Sequence, residues 1–169
     1  MRHPNVRNVD EVETREMIKG RHNMRLRQLG APAGSRQLGA TLTEVAPGAV
    51  SFPRHAHHSN EEAIYVLSGF GEAGIGEACV AIRPGDWIVL PAGPAHAHQM
   101  VNSSGTEPLV YLCVSTKHAV EIVEYPDSRK IGANVADPAS PSGFRRIGLF
   151  WAESGTLDYW EDEPEAGQG

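Results

Sequence analysis

What limits the fold of this chain most is its punctuation. The apolar runs rich in branched and aromatic residues are short: Leu38 to Val45, Ile64 to Leu67, Cys79 to Ile82, Trp87 to Leu90 and Leu109 to Val114. Each is fenced by turn residues, namely Pro47-Gly48, Ser68-Gly69, Gly74 with Gly76, Pro84-Gly85, Pro91 with Gly93, and Ser103 to Gly105. Glycine and proline account for 18 and 12 of the 169 residues, too many interruptions for long helices. Strands separated only by turns build a sandwich or barrel rather than strand–helix–strand units. No repeat of solenoid period is visible. The expected fold class is all-β, in one domain large enough to bury a core without staples.

The chain divides into an N-terminal extension at 1–37, a barrel core at 38–116 and a C-terminal extension at 117–169 that packs on the barrel. In the first extension Val9 to Lys19 has helical spacing, Arg21 to Leu29 alternates as a half-exposed strand, and Ala31 to Ser35 is a loop. In the last, Ala119 to Tyr125 reads as a strand, Pro126 to Lys130 as a turn, Ile131 to Gly143 as loop and Phe144 to Trp151 as one more strand. Residues 153–169 are an acidic tail with Tyr159 and Trp160 as anchors.

Fifteen Lys and Arg against 21 Asp and Glu leave a net charge of −6, with no basic excess to neutralise phosphates, so nucleic acid is not an expected partner. The N-terminus has no apolar leader, and no run approaches the ~20 apolar residues that cross a bilayer, so the expectation is a soluble, cytoplasmic protein without membrane contact. Cys79 and Cys113 lie far apart in apolar runs with no CxxC spacing and are expected to be two buried thiols.

Chemistry concentrates between Gly48 and Asn102, which hold five of the eight histidines. Residues two apart on a strand share a face, so His55 and His57 project together. Glu62 opens the next strand after a reversal through Ser59-Asn60 and comes alongside. A further nitrogen comes from His96 or His98, again two apart, with Met100 and Asn102 on the same face. Nitrogens with one carboxylate suit a divalent transition ion, not Ca²⁺ or a thiolate-bound structural zinc. A lone His-x-His pair on a strand is a common surface accident; its conjunction with a carboxylate and a second histidine group is what points to metal.

The order Gly48, His55-Ala-His57, Glu62 and Gly69 resembles the first motif of the cupin superfamily, with four residues from His57 to Glu62 and six from Glu62 to Gly69; this spacing selects Glu62 over Glu61. The gap from Gly48 to His55 is one residue longer than usual. Gly85-Asp-Trp-Ile-Val-Leu-Pro91-Ala-Gly93 resembles the opening of the second motif, and the two together cover about 38–116. The resemblance implies a cupin double-stranded β-helix, a jelly-roll barrel, with one divalent transition metal ion per chain, Fe, Mn, Ni or Zn. The usual Pro-x-Gly-x-x-His spacing selects His96, whereas the His-x-x-x-Asn spacing selects His98 through Asn102. A loop lengthened by two residues makes His98 the ligand, beside His55, His57 and Glu62, and leaves His96 near the rim.

His96 and Glu61 are the candidates for a catalytic acid or base. Asp86 reads as a turn cap, His58 as solvent-facing, Glu61 by its parity as structural, and Tyr65, Trp87 and Tyr111 as core or pocket wall. Cupins include dioxygenases, oxalate-type decarboxylases, sugar and sugar-phosphate isomerases, lyases, cyclases and sugar-binding domains, so the resemblance implies a small oxygenated metabolite and leaves the reaction open. A dioxygenase needs nothing beyond an open metal in an apolar pocket, and it is the leading reading. An isomerase of sugars or sugar phosphates needs cations at the mouth, for which Arg54, Arg83 and Lys117 are available, although the parity of Arg54 turns it outward. A non-enzymatic cupin that binds a small carbohydrate is the third reading. The strands in both flanks point to a homodimer through edge pairing or exchange.

Overall fold

The computed structural model describes residues 2–137, 139–140 and 144–151. Among them are 13 strands, four short 3-10 turns and no α-helix, as the punctuation requires. Three sheets result. The largest has the order β1 (Arg15–Lys19), β2 (His22–Gln28), β3 (Leu38–Val45), β10 (Leu109–Thr116), β5 (Glu62–Ser68) and β8 (Trp87–Leu90). The second runs β7 (Ala78–Ile82), β6 (Gly71–Ile75), β9 (His98–Val101). The third runs β13 (Phe144–Trp151), β12 (Lys130–Ala136), β11 (Val120–Tyr125), β4 (Ala56–His57).

Strand alternation decides what each sheet buries. On β5, Ile64 and Val66 are buried while Tyr65 and Leu67 stand outside. Val45, Val66, Leu90 and Leu109 of the large sheet meet Ala73, Ile82 and Met100 of the second in one core. Each fully buried side chain of this kind contributes roughly 1.5–3 kcal/mol. Glu62 shares the inward parity of Ile64 and Val66, so the alternation that builds the core also turns this carboxylate into the barrel. Asn102, fully buried, donates to the carbonyls of Val45 and Glu107 and accepts from Ser104 N–H, tying the β9–β10 connection to β3.

Several expectations need correction. Val9 to Lys19 is not helical: a 3-10 turn at Val9–Glu11 is followed by β1, which pairs with β2 across a left-handed Gly20, so hairpin pairing overrides a weak local pattern. Ile131 to Gly143 is not all loop, because β12 is held on both sides by β11 and β13. The stretch from Phe70 to Pro84 contains the hairpin β6–β7; Gly71 lies against the Val101 carbonyl, so its glycine marks a close backbone approach within a strand rather than a break. Cys79 is exposed and Cys113 half-buried. Tyr65 and Trp87 pair across β5 and β8 on the outside, 40% and 56% exposed, and line no core; Tyr111 is buried as expected. Asp86 does cap its turn, accepting from Arg83 N–H at 2.8 Å. The acidic tail with Tyr159 and Trp160 lies outside the described residues. No helix among those described is long and apolar enough to cross a membrane.

Gly69 has φ +80°, and a Cβ there would run into the Pro108 carbonyl, whereas Gly85 at φ +94° has nothing within 4 Å of its Cβ position. Gly69→Ala is therefore expected to cost clearly more than the ~1–2 kcal/mol of left-handed strain alone, and Gly85→Ala about that strain only. Denaturant unfolding of the two variants measures the difference, and equal costs contradict the packing described here.

Candidate metal centre

Four side chains converge inside the barrel: His55, His57, Glu62 and His98, with one ligand atom from each within 4.8 Å of all the others. Backbone pairing sets this arrangement. His55 N–H donates to His98 O at 3.1 Å and His98 N–H to His55 O at 2.8 Å, an isolated bridge that joins the segment before β4 to the first residue of β9. His57, two residues on, falls on the side of His55, and its strand is paired by β11 through Val123. His98 has the inward parity of Met100, as Glu62 has that of Ile64.

It is His98, not His96, whose ring joins the group. His96 ends a 3-10 turn at Pro94–His96 and serves the site through its carbonyl, which faces His98 Nδ1 at 3.0 Å. Glu61 is exposed; its N–H donates to Thr116 Oγ1, and its side chain, like that of His96, lines neither cavity at the cluster. His58 is turned away and pairs with Glu124 at 3.1 Å. Arg54 does face outward, reaching the Gly76 carbonyl and Asp127.

The donor set fits a metal ion on the protein's own evidence. His55 Nδ1 lies 2.8 Å from Pro53 O and His98 Nδ1 3.0 Å from His96 O. A ring nitrogen facing a carbonyl must carry the proton, so both rings present the Nε2 lone pair to the cluster. With His98 neutral, its Nε2 faces Glu62 Oε2 at 3.2 Å, acceptor against acceptor, an arrangement that a shared metal ion or a second proton on the ring relieves. Both nitrogens of His57 are buried without a hydrogen-bond partner: Nε2 lies 3.5 Å from Glu62 Oε1 and Nδ1 3.6 Å from Glu121 Oε1, electrostatic contacts only. An unsatisfied buried polar atom costs about 1–3 kcal/mol, and three imidazoles with one carboxylate match Mn, Fe, Ni or Zn.

Glu121 is the site residue that sequence reasoning missed. It comes from β11 in the C-terminal extension, is 3% exposed, and accepts the N–H groups of His58, Ser59 and Asn60. Its signal is its parity: it lies on the same side of the strand as Val123 and Tyr125, so a carboxylate sits on an otherwise apolar face.

Two cavities meet at the cluster. The barrel chamber, about 210 Å³, has His55, His57, Glu62 and His98 on its wall together with apolar Phe52, Ile64 and Met100 and the polar Thr43, Ser51 and Tyr111. The flanking chamber, about 260 Å³, lies between the barrel and the C-terminal sheet and shares Thr41, His57 and Glu62 with the first. Its other walls include Gln28, Asn60, Ser115, Lys117 and Asn134.

In the metal-free protein these groups titrate apart. Burial, followed by the neighbouring His98 and His57, pushes His55 down to about 4. Burial alone would depress His57 too, but the carboxylates of Glu62 and Glu121 outweigh it and raise its value. Burial would raise Glu62, and its contacts with His57 and His98 hold it well below the usual carboxylate range. A folded His55 that refuses a proton destabilises the metal-free fold as pH falls from 6.5 towards 4. The contribution of Glu62 is likewise lost on acidification, whereas that of His57 is complete below 6.5 and fades as pH rises through its raised value. NMR titration of the metal-free protein is expected to show His55 neutral down to about pH 4 and His57 charged above pH 6.5. Two rings titrating together at the ordinary value contradict the arrangement.

Residues 41–115 match the family model of the cupin domain. No curated protein sequence matches the chain. Among solved structures it is similar to a protein of Acidithiobacillus ferrooxidans, provisionally named a sugar phosphate isomerase, at 27% identity and TM-score 0.73 over 92% of this chain and 97% of that one. A sugar phosphate isomerase of the cupin superfamily from Silicibacter pomeroyi matches at 28% identity and TM-score 0.73, over 90% and 96%. The polyketide cyclase RemF of Streptomyces resistomycificus matches at 25% identity and TM-score 0.56, over 66% and 78%. The motif spacing, the barrel and these likenesses agree that residues 41–115 of this chain form a cupin domain.

Proposed function

We propose that this cupin is a metal-dependent isomerase of a small polyhydroxylated carbonyl compound, a sugar or sugar phosphate. The observation that carries the reading is the flanking chamber. It opens on His57 and Glu62, and its walls offer the amides of Gln28 and Asn134, the Ser115 hydroxyl and one cation, Lys117. Amides and hydroxyls hydrogen-bond a polyol in both directions, and one ammonium suits a single anionic group. A Cβ at Gly39 would collide with the Ser115 hydroxyl and meet Lys117 Cε at 3.6 Å, so the glycine leaves both side chains their place on this wall. The two isomerase-named structures match over nine-tenths or more of this chain and support the same reading.

A divalent ion on His55, His57, Glu62 and His98 would supply Lewis acidity towards a substrate carbonyl and an acidified water, which assist the movement of a proton between neighbouring carbons. The chain's own residues bind and orient. Burial, reinforced by the Cys113 thiol, pushes the Tyr111 phenol up, so it stays protonated and donates to a substrate oxygen in the barrel chamber. Thr43 Oγ1, buried there without a partner, is a second group available to a hydroxyl. Lys117, its ammonium 5.7 Å over the Phe144 ring, holds the anionic end in the flanking chamber. Apolar Phe52, Ile64 and Met100 exclude water around the reacting carbons and are what a dioxygenase reading has in its favour.

Protein loaded with Mn²⁺ or Zn²⁺ and incubated in D₂O with pentose and hexose phosphates is expected to interconvert an aldose and a ketose, with deuterium entering at C2 by NMR. Lys117→Gln is expected to raise KM for the phosphorylated substrate by about tenfold or more, the worth of a hydrogen bond to a charged group, and to leave the unphosphorylated sugar unaffected. Absence of exchange with every sugar, together with oxygen uptake on enediols, overturns the isomerase in favour of a dioxygenase.

A further inference from the structure

We propose that Glu121, contributed by β11 from outside the cupin domain, is a positioning residue of the metal centre: its carboxylate fixes the tautomer and orientation of His57 and clamps the loop between His57 and Glu62. The inference rests on reading the four-residue cluster as a metal site. Each of the three imidazoles has an oxygen behind Nδ1, but not of the same kind. His55 uses the carbonyl of Pro53 and His98 that of His96, in each case two residues earlier on its own segment. The equivalent carbonyl for His57 is that of His55, and it is already taken by His98 N–H at 2.8 Å. That carbonyl could accept a second hydrogen bond, but His57 Nδ1 makes none to it, and the carboxylate oxygen that faces Nδ1 is Glu121 Oε1, at 3.6 Å.

The same carboxylate holds the backbone around it. Oε1 accepts from His58 N–H at 3.0 Å and Ser59 N–H at 3.4 Å, and Oε2 from Asn60 N–H at 2.7 Å. These three consecutive residues lie in the connection between the two ligands. Asn60 closes the tie by accepting His118 N–H at 2.8 Å, so the chain just before β11 is fastened to the loop that Glu121 holds. A carboxylate behind a ligating imidazole also raises its basicity more than a carbonyl does, which makes His57 the strongest donor of the three rings. A glutamine at 121 keeps the shape, but its NH₂ replaces an oxygen and must oppose either a backbone N–H or the imidazole.

Co²⁺ is the probe, read by chelator competition and by the hyperfine-shifted exchangeable imidazole N–H signals of the loaded protein in water. Wild type is expected to show three such signals, and Glu121→Gln to bind Co²⁺ about 10–100-fold more weakly, with one signal shifted or lost and two unmoved. Glu121→Ala is expected to do the same more severely. Unchanged affinity with three unmoved signals overturns the proposal, as does a general shift of all three with a falling unfolding midpoint, which marks a merely structural role. Wild-type protein that takes up no Co²⁺ overturns the metal reading itself and the proposal with it.

Discussion

The structure depends on a convergence of four electron-pair donors inside the barrel. Nε2 of His98 is held as an acceptor by the proton on its own Nδ1, and it faces a carboxylate that is also an acceptor. His57 stands between two carboxylates with no hydrogen bond to either. Burial keeps His55 neutral while Glu62 and His57 favour each other's charged forms, and the surrounding strands hold the cluster in place. The mutual hydrogen bonds of His55 and His98, the pairing of β4 with β11, and the inward parity of Glu62 on β5 each oppose the relaxation that would let the rings turn outward. A donor set that only the folded barrel assembles couples metal binding to folding, an effect of about 4 kcal/mol at a thousandfold excess over Kd.

Much of that restraint comes from outside the cupin domain. β11 pairs the strand that carries His57, supplies Glu121 behind it, and places Val123 on the wall of the flanking chamber. Gln28 from the N-terminal extension and Asn134 from β12 line the same chamber. The family barrel provides the four ligating side chains, whereas the extensions contribute much of the polar surface beside them. Cupins share the barrel and differ in reaction, so under the proposed function the flanks are the part of this chain that would set its substrate preference.

The legible part of the sequence was the part governed by short-range rules. Turn residues bracket nearly every barrel strand, and alternation with motif spacing is enough to bring His55, His57 and Glu62 to one side. The conflict between two spacings at His96 and His98 resolves through parity: His98 alternates with buried Met100, while His96 is spent in a 3-10 turn. What stayed hidden depends on partners distant in sequence. β12 looked like loop because its glycine, alanine and asparagine pack little by themselves and become a strand only between β11 and β13. Tyr65 and Trp87 looked like core because aromatic residues on strands usually are, yet their parity faces outward. For Glu121 the sequence offers parity alone, because its partners are His57 and the loop at 58–60, some sixty residues earlier.

The central claim is that His55, His57, Glu62 and His98 hold one metal ion. Elemental analysis of protein purified without chelator, and again after incubation with Mn²⁺, Fe²⁺, Ni²⁺ and Zn²⁺ followed by desalting, tests it most directly. The account predicts about one ion per chain. Protein that arrives without metal and retains none of the four contradicts it.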